Sequence, residues 1–297
     1  MSNTLSPKQV ARAIGVSESS LKRWCDRGLI RMEKTAGGHR RLTIDSVVAF
    51  LRDTGRGVVD PELLGLPATT GQTQWTIKRA AERLTNALVE GDESVCRQIV
   101  LDLYLAQHRL SLICDDVLAK SFQDIGDLWE CGGVEVFEER RACEISTRLV
   151  HELRRLLPPP PPGAPLAEGG TLDGDPYTLA GSMAELVLRD LGWKAVPLGN
   201  RLPFSTLRVA LKKTRPKLLW LSVSAIRDED RFADEMNQLF DEATETGAAL
   251  VLGGVALTED VRRRIRFTVY CDTYQHLEAF SKTLRRDSGT GNHAKPK

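Results

Sequence analysis

Residues 6–42 read SPKQVARAIGVSESSLKRWCDRGLIRMEKTAGGHRRL, and they decide the fold of the N-terminal domain. Ser6 is a favoured N-cap residue and Pro7 fits the first helical turn, so this pair predicts the start of a helix that ends near Ile14. A turn at Gly15–Val16 follows, and a second helix is predicted over 17–27, ended by the glycine after it. The two helices and their short connection form a helix-turn-helix pattern.

A basic hairpin follows the second helix. Two short arms, 33–36 and 39–42, flank Gly37–Gly38, a turn signal typical of β-hairpins. A helix that fits the major groove and a basic hairpin beside it are the parts with which many proteins read duplex DNA. The N-terminal domain is therefore predicted to bind a double-stranded DNA operator.

The charge of the chain is concentrated in this domain. Residues 1–56 contain eleven Lys and Arg against five Asp and Glu, a net charge of +6, whereas the whole chain carries +1. Positive charge confined to one small segment suits contacts with DNA phosphates by that segment alone. Because one such segment offers few contacts, we expect a homodimer or homotetramer to bind a repeated site.

Residues 6–50 resemble the MerR family of winged-helix regulators, through VARAIGV at 10–16, LKRW at 21–24, GLI at 28–30 and GHRR at 38–41. The resemblance implies that the second helix enters the major groove and that the wing lies against the DNA backbone. The implied DNA contacts are Ser19, Lys22, Arg23, Trp24, His39, Arg40 and Arg41. Two alternatives stay open: Trp24 as a core-packing residue, and Arg40–Arg41 as a solvated basic turn.

At 297 residues the chain is long enough for two or three domains with separate cores. Stretches rich in proline and glycine predict one linker over 57–73 and a second, with five consecutive prolines, over 158–168. The predicted organisation is a winged helix-turn-helix domain (1–56), a helical bundle (74–157), an α/β domain (169–286) and a disordered tail (287–297).

The remaining composition predicts a cytoplasmic protein without a membrane contact. The start is polar, and no apolar run approaches about 18 residues. The six cysteines are scattered without CxxC pairs, so neither a metal site nor a disulfide framework is expected. We expect them to be small buried residues or free thiols in a reducing compartment.

Between the two linkers, apolar residues recur at helical spacing in four groups, separated by Gly91, by 108–110 and by Gly132–Gly133. This pattern predicts a four-helix bundle. The metal-dependent members of the MerR family have one long coiled-coil helix at this place. The resemblance therefore implies that a different sensor is attached here.

After residue 169 short apolar strands alternate with helices. The predicted strands are 194–198, 217–223, 248–252 and 266–270, and the predicted helices are 178–191, 203–214, 229–246 and 273–285. This alternation is typical of a doubly wound parallel sheet, a Rossmann-like α/β fold whose ligands bind at the carboxyl ends of the strands.

Three short signatures in this domain resemble those of cobalamin-binding domains. The family pattern is DxHxxG, then SxL or SxT, then GG, and this chain has DPYTLA at 175–180, SVS at 222–224 and GG at 253–254. In the bundle, a Trp and a Glu separated by nine residues resemble the cap of light-responsive, adenosylcobalamin-dependent MerR-type repressors. The ligand-site residues that the resemblance implies are Trp129, Glu139, Arg140, Asp175, Tyr177, Ala180, Ser222, Ser224, Gly253 and Gly254.

The chain departs from the family pattern at both imidazoles. Tyr177 stands at the position of the axial histidine, Arg140 at that of the cap histidine, and Ala180 at that of a glycine. A neutral imidazole is a good metal ligand, whereas a phenol with a pKa of about 10 is a poor one and a guanidinium does not coordinate. Cobalamin is therefore expected to bind without a histidine axial ligand, or not at all.

Three states of the sensor stay open: a scaffold that has lost cobalamin, cobalamin held in an altered mode, and a different ligand such as another tetrapyrrole or an anionic metabolite. Two alternatives need no ligand, namely Trp129 as a bundle-core residue and Gly253–Gly254 as an ordinary strand-to-helix turn.

The sequence predicts a sequence-specific transcriptional regulator, a repressor and not an enzyme. The accompanying hypothesis is that a ligand between bundle and sheet biases assembly and thereby operator affinity. Two other classes stay open. One is a corrinoid protein of methyl-transfer chemistry, against which the DNA-binding domain and the missing histidine argue. The other is a DNA-binding adaptor that recruits a protein partner.

Overall fold

The winged helix forms where the N-cap residues predict it, in a computed structural model that describes residues 4–35, 37–71 and 73–286. Ser6 forms a reciprocal capping box with Gln9, and the Ser17 hydroxyl accepts the N–H of Ser20. The elements are β1 (Thr4–Leu5), α1 (Pro7–Ala13), α2 (Glu18–Asp26), β2 (Glu33–Lys34), β3 (Arg40–Thr43) and α3 (Ile44–Thr54). The strands pair antiparallel in the order β1-β3-β2, which confirms the helix-turn-helix with a hairpin.

A small apolar core holds these elements together. Val10 of α1, Leu21 of α2, Leu42 of β3 and Val47 of α3 are each completely buried. Because α1, α2, β3 and α3 each contribute a buried side chain, the polar face of α2 is left on the outside.

The segment 57–73, predicted as a linker, is a folded connection. The N–H groups of Val59 and Asp60 both donate to the carbonyl of Ala13, and a 3₁₀ helix at Pro61–Leu64 packs against α1. Farther along, the buried carboxylate of Asp102 accepts the N–H of Gly71 at 2.6 Å and the indole N–H of Trp75 at 3.1 Å. The prolines and glycines of this segment therefore shape turns on a packed surface.

The bundle has the four predicted helices: α4 (Ile77–Glu90), α5 (Glu93–Leu105), a third helix, and α8 (Val136–Leu156). The third begins as α6 (Leu110–Ile113), passes through a π-helical stretch at Cys114–Ala119 and continues as α7 (Lys120–Glu130). Helix α3 of the winged helix packs against α5 and α8, and the Arg52 guanidinium lies 3.9 Å from the centre of the Tyr104 ring. Winged helix and bundle thus form one compact unit, Met1–Pro158.

The second compact unit, Pro159–Lys297, contains a parallel five-stranded sheet in the order β5-β4-β6-β7-β8 with helices between its strands. Its elements are β4 (Leu166–Leu172), α9 (Leu179–Asp190), β5 (Lys194–Leu202), α10 (Phe204–Thr214), β6 (Leu218–Ser222), α11 (Glu229–Thr246), β7 (Ala249–Gly253), α12 (Glu259–Arg264), β8 (Val269–Tyr270) and α13 (Tyr274–Arg286). This confirms the predicted α/β class.

Strand β4, which lies between β5 and β6, was not predicted, and the proline-rich segment ends at 165 instead of 168. The strand has the sequence LAEGGTL, whose glutamate and glycines give no apolar strand signal. Gly169 has a packing reason, because a Cβ atom there would lie 2.2 Å from the indole of Trp220 on the neighbouring strand. Gly169 of β4 therefore makes room for Trp220 of β6.

Helix α12 was also not predicted, and the last strand is shorter than the sequence suggested. The predicted disordered tail, 287–297, lies outside the described residues. In the part of the chain that the structure describes, no helix is long and apolar enough to cross a membrane.

Replacing Asp102 by alanine should destabilise the protein by about 1–3 kcal/mol, because two donors of the 71–75 connection lose their buried acceptor. Urea unfolding followed by tryptophan fluorescence measures this loss. The exposed Asp127 on α7 provides the control, and Asp127→Ala should change the unfolding free energy by less than about 0.5 kcal/mol. Equal losses in the two variants would contradict the role of Asp102.

Burial raises the pKa of the Asp102 carboxyl above its usual value, although its hydrogen bonds partly oppose this. A raised pKa in the folded state means that the native protein binds the proton more tightly than the unfolded chain. The stabilisation by Asp102 should therefore be greatest at acid pH and decrease as the pH rises through the ordinary and then the raised pKa. The difference in unfolding free energy between wild type and Asp102→Ala should be larger near about pH 4 than near about pH 7.5.

Candidate functional sites

The outer face of α2 and the tip of the wing form a polar, basic surface. Ser19 and Arg23 are exposed on α2, whereas Lys22 is half-buried and bonded to Glu18 at 2.7 Å. The hydrogen bond from Lys22 and its charge lower the pKa of the Glu18 carboxyl. Ser19 and Arg23 are thus the more accessible of the predicted contacts on this helix.

The wing is closed by two hydrogen bonds between Thr35 and His39, which leave the imidazole exposed at the tip. Arg41 lies opposite Glu33 in the register of the hairpin. Arg40 is only 29 % exposed, and its guanidinium donates to the carboxylate of Asp26 at 2.6 Å. This bond ties the wing to the end of α2.

An open cleft of about 400 Å³ lies between the start of α1, the outer face of α2 and the wing. Its lining residues are Ser6, Pro7, Glu18, Lys22, Gly38, His39, Arg40 and Arg41. The structure thus brings four of the seven predicted DNA contacts, Lys22, His39, Arg40 and Arg41, to one concave surface.

Trp24 has a structural explanation. Its indole is half-buried, its ring lies 5.0 Å from that of Phe50 on α3, and the Arg56 guanidinium lies 4.7 Å from its centre. The packing alternative for Trp24 therefore has direct support from these contacts.

An exposed apolar patch surrounds the turn between α7 and α8. Trp129 is 54 % exposed and Phe137 63 % exposed, with Leu128 and Val136 also exposed beside them. The alternative that Trp129 is a bundle-core residue is therefore wrong. Large apolar side chains on a surface point to a binding function, since burying them would be favourable.

Next to this patch, the Arg140 guanidinium pairs with Glu139 at 3.2 Å. The Cys143 thiol donates to the other oxygen of Glu139 at 3.4 Å. Burial and the neighbouring Glu139 carboxylate raise the pKa of Cys143 to about 12, so this thiol stays protonated and unreactive at neutral pH. All six cysteines are free.

In the second unit, the signature residues meet at the carboxyl edge of the sheet. Asp175, completely buried, accepts the N–H of Tyr177 at 3.0 Å and the N–H of Ser224 at 2.5 Å. Ser222, at the end of β6, is buried, whereas Tyr177 is 39 % exposed. The carbonyl of Ala180 accepts a hydrogen bond from the Tyr274 hydroxyl at 2.9 Å.

Gly253 and Gly254 are both required by contacts within the protein. Gly254 has φ +119°, and a Cβ atom there would lie 2.2 Å from the carbonyl oxygen of Val223. A Cβ atom at Gly253 would lie 2.9 Å from the carbonyl oxygen of Cys271. An ordinary strand-to-helix turn, which requires glycine here even without a ligand, is thus sufficient to explain both residues.

Two large exposed side chains lie at this edge of the sheet. Tyr177 and the 87 % exposed Val255 are apolar surfaces on this edge, while the turn after β4 contains no imidazole. Among the described residues, no three His, Cys, Asp or Glu side chains gather into a group that could hold a metal ion.

Sequence reasoning missed Val255, Arg201 and Arg227, all at the carboxyl edge and all exposed. Each follows a strand of the sheet or lies near its end, so the rule that ligands bind at the carboxyl ends of strands could have indicated them. No motif contains them, and exposure cannot be read from a single sequence.

Two family models match the chain, a helix-turn-helix domain over residues 4–55 and a B12 binding domain over residues 80–154. The first match covers the winged helix, and the second lies on the helical bundle. The chain thus contains a helix-turn-helix domain and a helical segment that matches a B12 binding domain.

The chain is homologous to two repressors of Myxococcus xanthus. It is 28 % identical to the HTH-type transcriptional repressor CarH over 271 residues, covering 83 % of this chain and 87 % of the relative. It is 25 % identical to the HTH-type transcriptional repressor CarA over 295 residues, covering 95 % and 98 %.

Among solved structures, the monomethylamine corrinoid protein of Methanosarcina barkeri matches with a TM-score of 0.56 and 15 % sequence identity. The match covers 70 % of this chain and 100 % of that one. This similarity assigns the fold of a corrinoid protein to the matching part of the chain.

Gly254→Ala should destabilise the protein by about 3 kcal/mol or more, because it adds both an unfavourable φ and a clash with the Val223 backbone. Gly247, which ends α11, is the matched control. It has φ +77°, but a Cβ atom at this position would lie in open space. Gly247→Ala should therefore cost only about 1–2 kcal/mol. Unfolding in urea without any ligand checks both values, and equal losses would contradict the packing role of Gly254.

Proposed function

We propose that this chain is a DNA-binding transcriptional regulator, a repressor, with a cobalamin-type sensor domain. The observation that carries the proposal is that a basic winged helix shares one compact unit with the helices that match a B12 binding domain. Arg52 of α3 packs over Tyr104 of α5, so a change in the bundle can reach the DNA-binding domain directly. Similarity to two repressors over most of the chain supports repression rather than activation.

DNA is bound by α2 in the major groove, with the wing against the phosphate backbone. Ser19, Arg23, His39 and Arg41 make the contacts, joined by Lys22 when it exchanges Glu18 for a phosphate. Arg40 acts chiefly as a positioning residue, because its bond to Asp26 sets the angle of the wing. One winged helix provides few phosphate contacts, so a homodimer or homotetramer binds repeated half-sites.

Arg23→Ala and Arg41→Ala should each weaken DNA binding about tenfold and reduce the slope of log K against log salt by about one, since each removes one phosphate or base contact. The operator can be selected from random-sequence duplexes, and binding is then measured by fluorescence anisotropy at several salt concentrations. Arg83→Ala, which removes an exposed arginine of α4, is the control for net charge and should leave both quantities unchanged. An unchanged salt slope in the Arg23 and Arg41 variants would contradict this interface.

The sensor holds a cobalamin-type ligand through apolar and polar contacts, without an imidazole bond from the turn after β4. In the first unit, Trp129 offers an apolar contact to a ligand, with Glu139 and Arg140 beside it. In the second unit, Tyr177 offers such a contact at the sheet edge. Ser222, Ser224, Gly253 and Gly254 build the backbone of that edge. Bound adenosylcobalamin would supply a cobalt–carbon bond that light can break.

Incubation with adenosylcobalamin in darkness, followed by desalting, should leave a corrin absorption band on the protein. Trp129→Ala should weaken binding about tenfold, because the apolar contact of one exposed indole is lost. Val209→Ala, at an equally exposed apolar residue of α10, is the matched control and should bind like the wild type. A colourless wild-type protein that still binds DNA would overturn the ligand part of the proposal and identify the domain as a scaffold.

We propose a regulator rather than a corrinoid enzyme because both relatives that cover most of the chain are named as repressors. The likeness to the monomethylamine corrinoid protein is one of fold.

A further inference from the structure

Two exposed arginines flank the turn after β4 at the carboxyl edge of the sheet. Arg201 lies near the end of β5 and Arg227 follows β6, and these two strands are the neighbours of β4 on either side. Strands in a sheet lie about 4.8 Å apart, so β5 and β6 are separated by roughly 10 Å across β4.

The backbone at Arg201 has an uncommon conformation. Its φ is +52°, in the left-handed region that side chains other than glycine rarely adopt. Its N–H donates to the Thr171 hydroxyl at 3.2 Å, and that hydroxyl donates to the carbonyl of Asp175 at 2.9 Å. The position of Arg201 is therefore fixed by the same turn that carries the signature Asp175.

Arg227 lies directly over the turn on its other side. A Cβ atom at Gly174 would be 3.0 Å from the Nε atom of Arg227, so the missing side chain leaves room for the guanidinium. Gly174 also has φ +86°, which glycine adopts without strain.

Several arginines of the unit pair with a carboxylate. Arg208 pairs with Glu235, Arg264 with Asp230, and Arg266 with Asp241. In the part of the chain that the structure describes, neither Arg201 nor Arg227 has a carboxylate within ion-pair distance.

Carboxylates also lie at this edge. Asp173 is exposed on the turn, and Asp228 is used as the N-cap of α11, where it accepts the N–H of Arg231. Arg231 is itself exposed. Glu229 and Asp230, which follow in the first turn of α11, both pair with Arg264 and are thus engaged within the protein.

We propose that the carboxyl edge of the sheet binds a flat ligand whose rim carries anionic groups, carboxylate or phosphate, held by Arg201 and Arg227. Tyr177 and Val255 supply the apolar surface for the face of this ligand, and the guanidiniums bind its rim, since their planar donors suit both kinds of oxyanion. The inference rests on the proposed sensor function and names the chemistry that the sensor selects.

The test compares two corrins that differ in peripheral charge. Dicyanocobyrinic acid carries carboxylates on its rim, whereas dicyanocobinamide carries uncharged amides, and cyanide occupies both axial positions of each. Equilibrium dialysis of the full chain against both compounds should give at least about tenfold tighter binding of the acid. Inorganic pyrophosphate should compete with the acid if Arg201 and Arg227 also bind phosphate. If the two arginines bind carboxylates only, pyrophosphate should leave the affinity for the acid unchanged.

Arg201→Gln and Arg227→Gln should each reduce the preference for the acid about fivefold or more and leave cobinamide affinity unchanged. Arg215→Gln is the matched control, because Arg215 is also exposed and left-handed, with φ +47°, but precedes β6 at the opposite edge. It should keep the full preference.

Equal affinity for the two corrins, or a preference that survives both substitutions, would overturn the anionic-rim inference while leaving a corrin sensor in place. If neither corrin binds, the inference and the ligand part of the proposed function both fall. DNA binding, measured on the same samples, then decides whether the regulator itself stands.

Discussion

The carboxylate of Asp175 holds the carboxyl edge of the α/β unit together. It is completely buried, and it accepts one N–H from its own turn, that of Tyr177, and one from the loop after β6, that of Ser224. A buried backbone donor without an acceptor would cost about 1–3 kcal/mol, so this side chain makes the approach of the two segments favourable. Because Tyr177 and Arg227 lie on these two segments, the surface that they form depends on Asp175.

The residues that resemble a cobalamin signature separate into two groups by their surroundings. Asp175, Gly253 and Gly254 are explained by contacts inside the protein. Tyr177 and Trp129 face outwards. The first group builds the edge of the sheet, whereas Tyr177 lies on its outer surface, so a tyrosine at this position does not disturb the fold beneath it.

Much of the fold follows from local sequence rules because the relevant residues act locally. Ser6 and Ser17 cap their helices as the sequence indicates, and α11 has the predicted bounds, since it begins after a capping aspartate and ends at Gly247. Strand β4 could not be recognised, because Gly169 is required by Trp220 on a neighbouring strand, a contact across some fifty residues of chain. The exposure of Trp129 could not be predicted either, since helical spacing identifies the apolar face of a helix but not whether another element covers it. Arg201 and Arg227 belong to no motif and emerge only when strand order brings them beside one turn.

The packing of Gly254 against the Val223 backbone bears on how such domains change in evolution. A lineage that stops using cobalamin remains under selection to fold, and the glycine persists for that reason alone. An outward-facing position such as that of Tyr177 has no such restraint and is free to drift once the ligand is gone. The glycine pair is therefore required by the fold with or without a ligand, and its presence alone does not identify a cobalamin-binding protein.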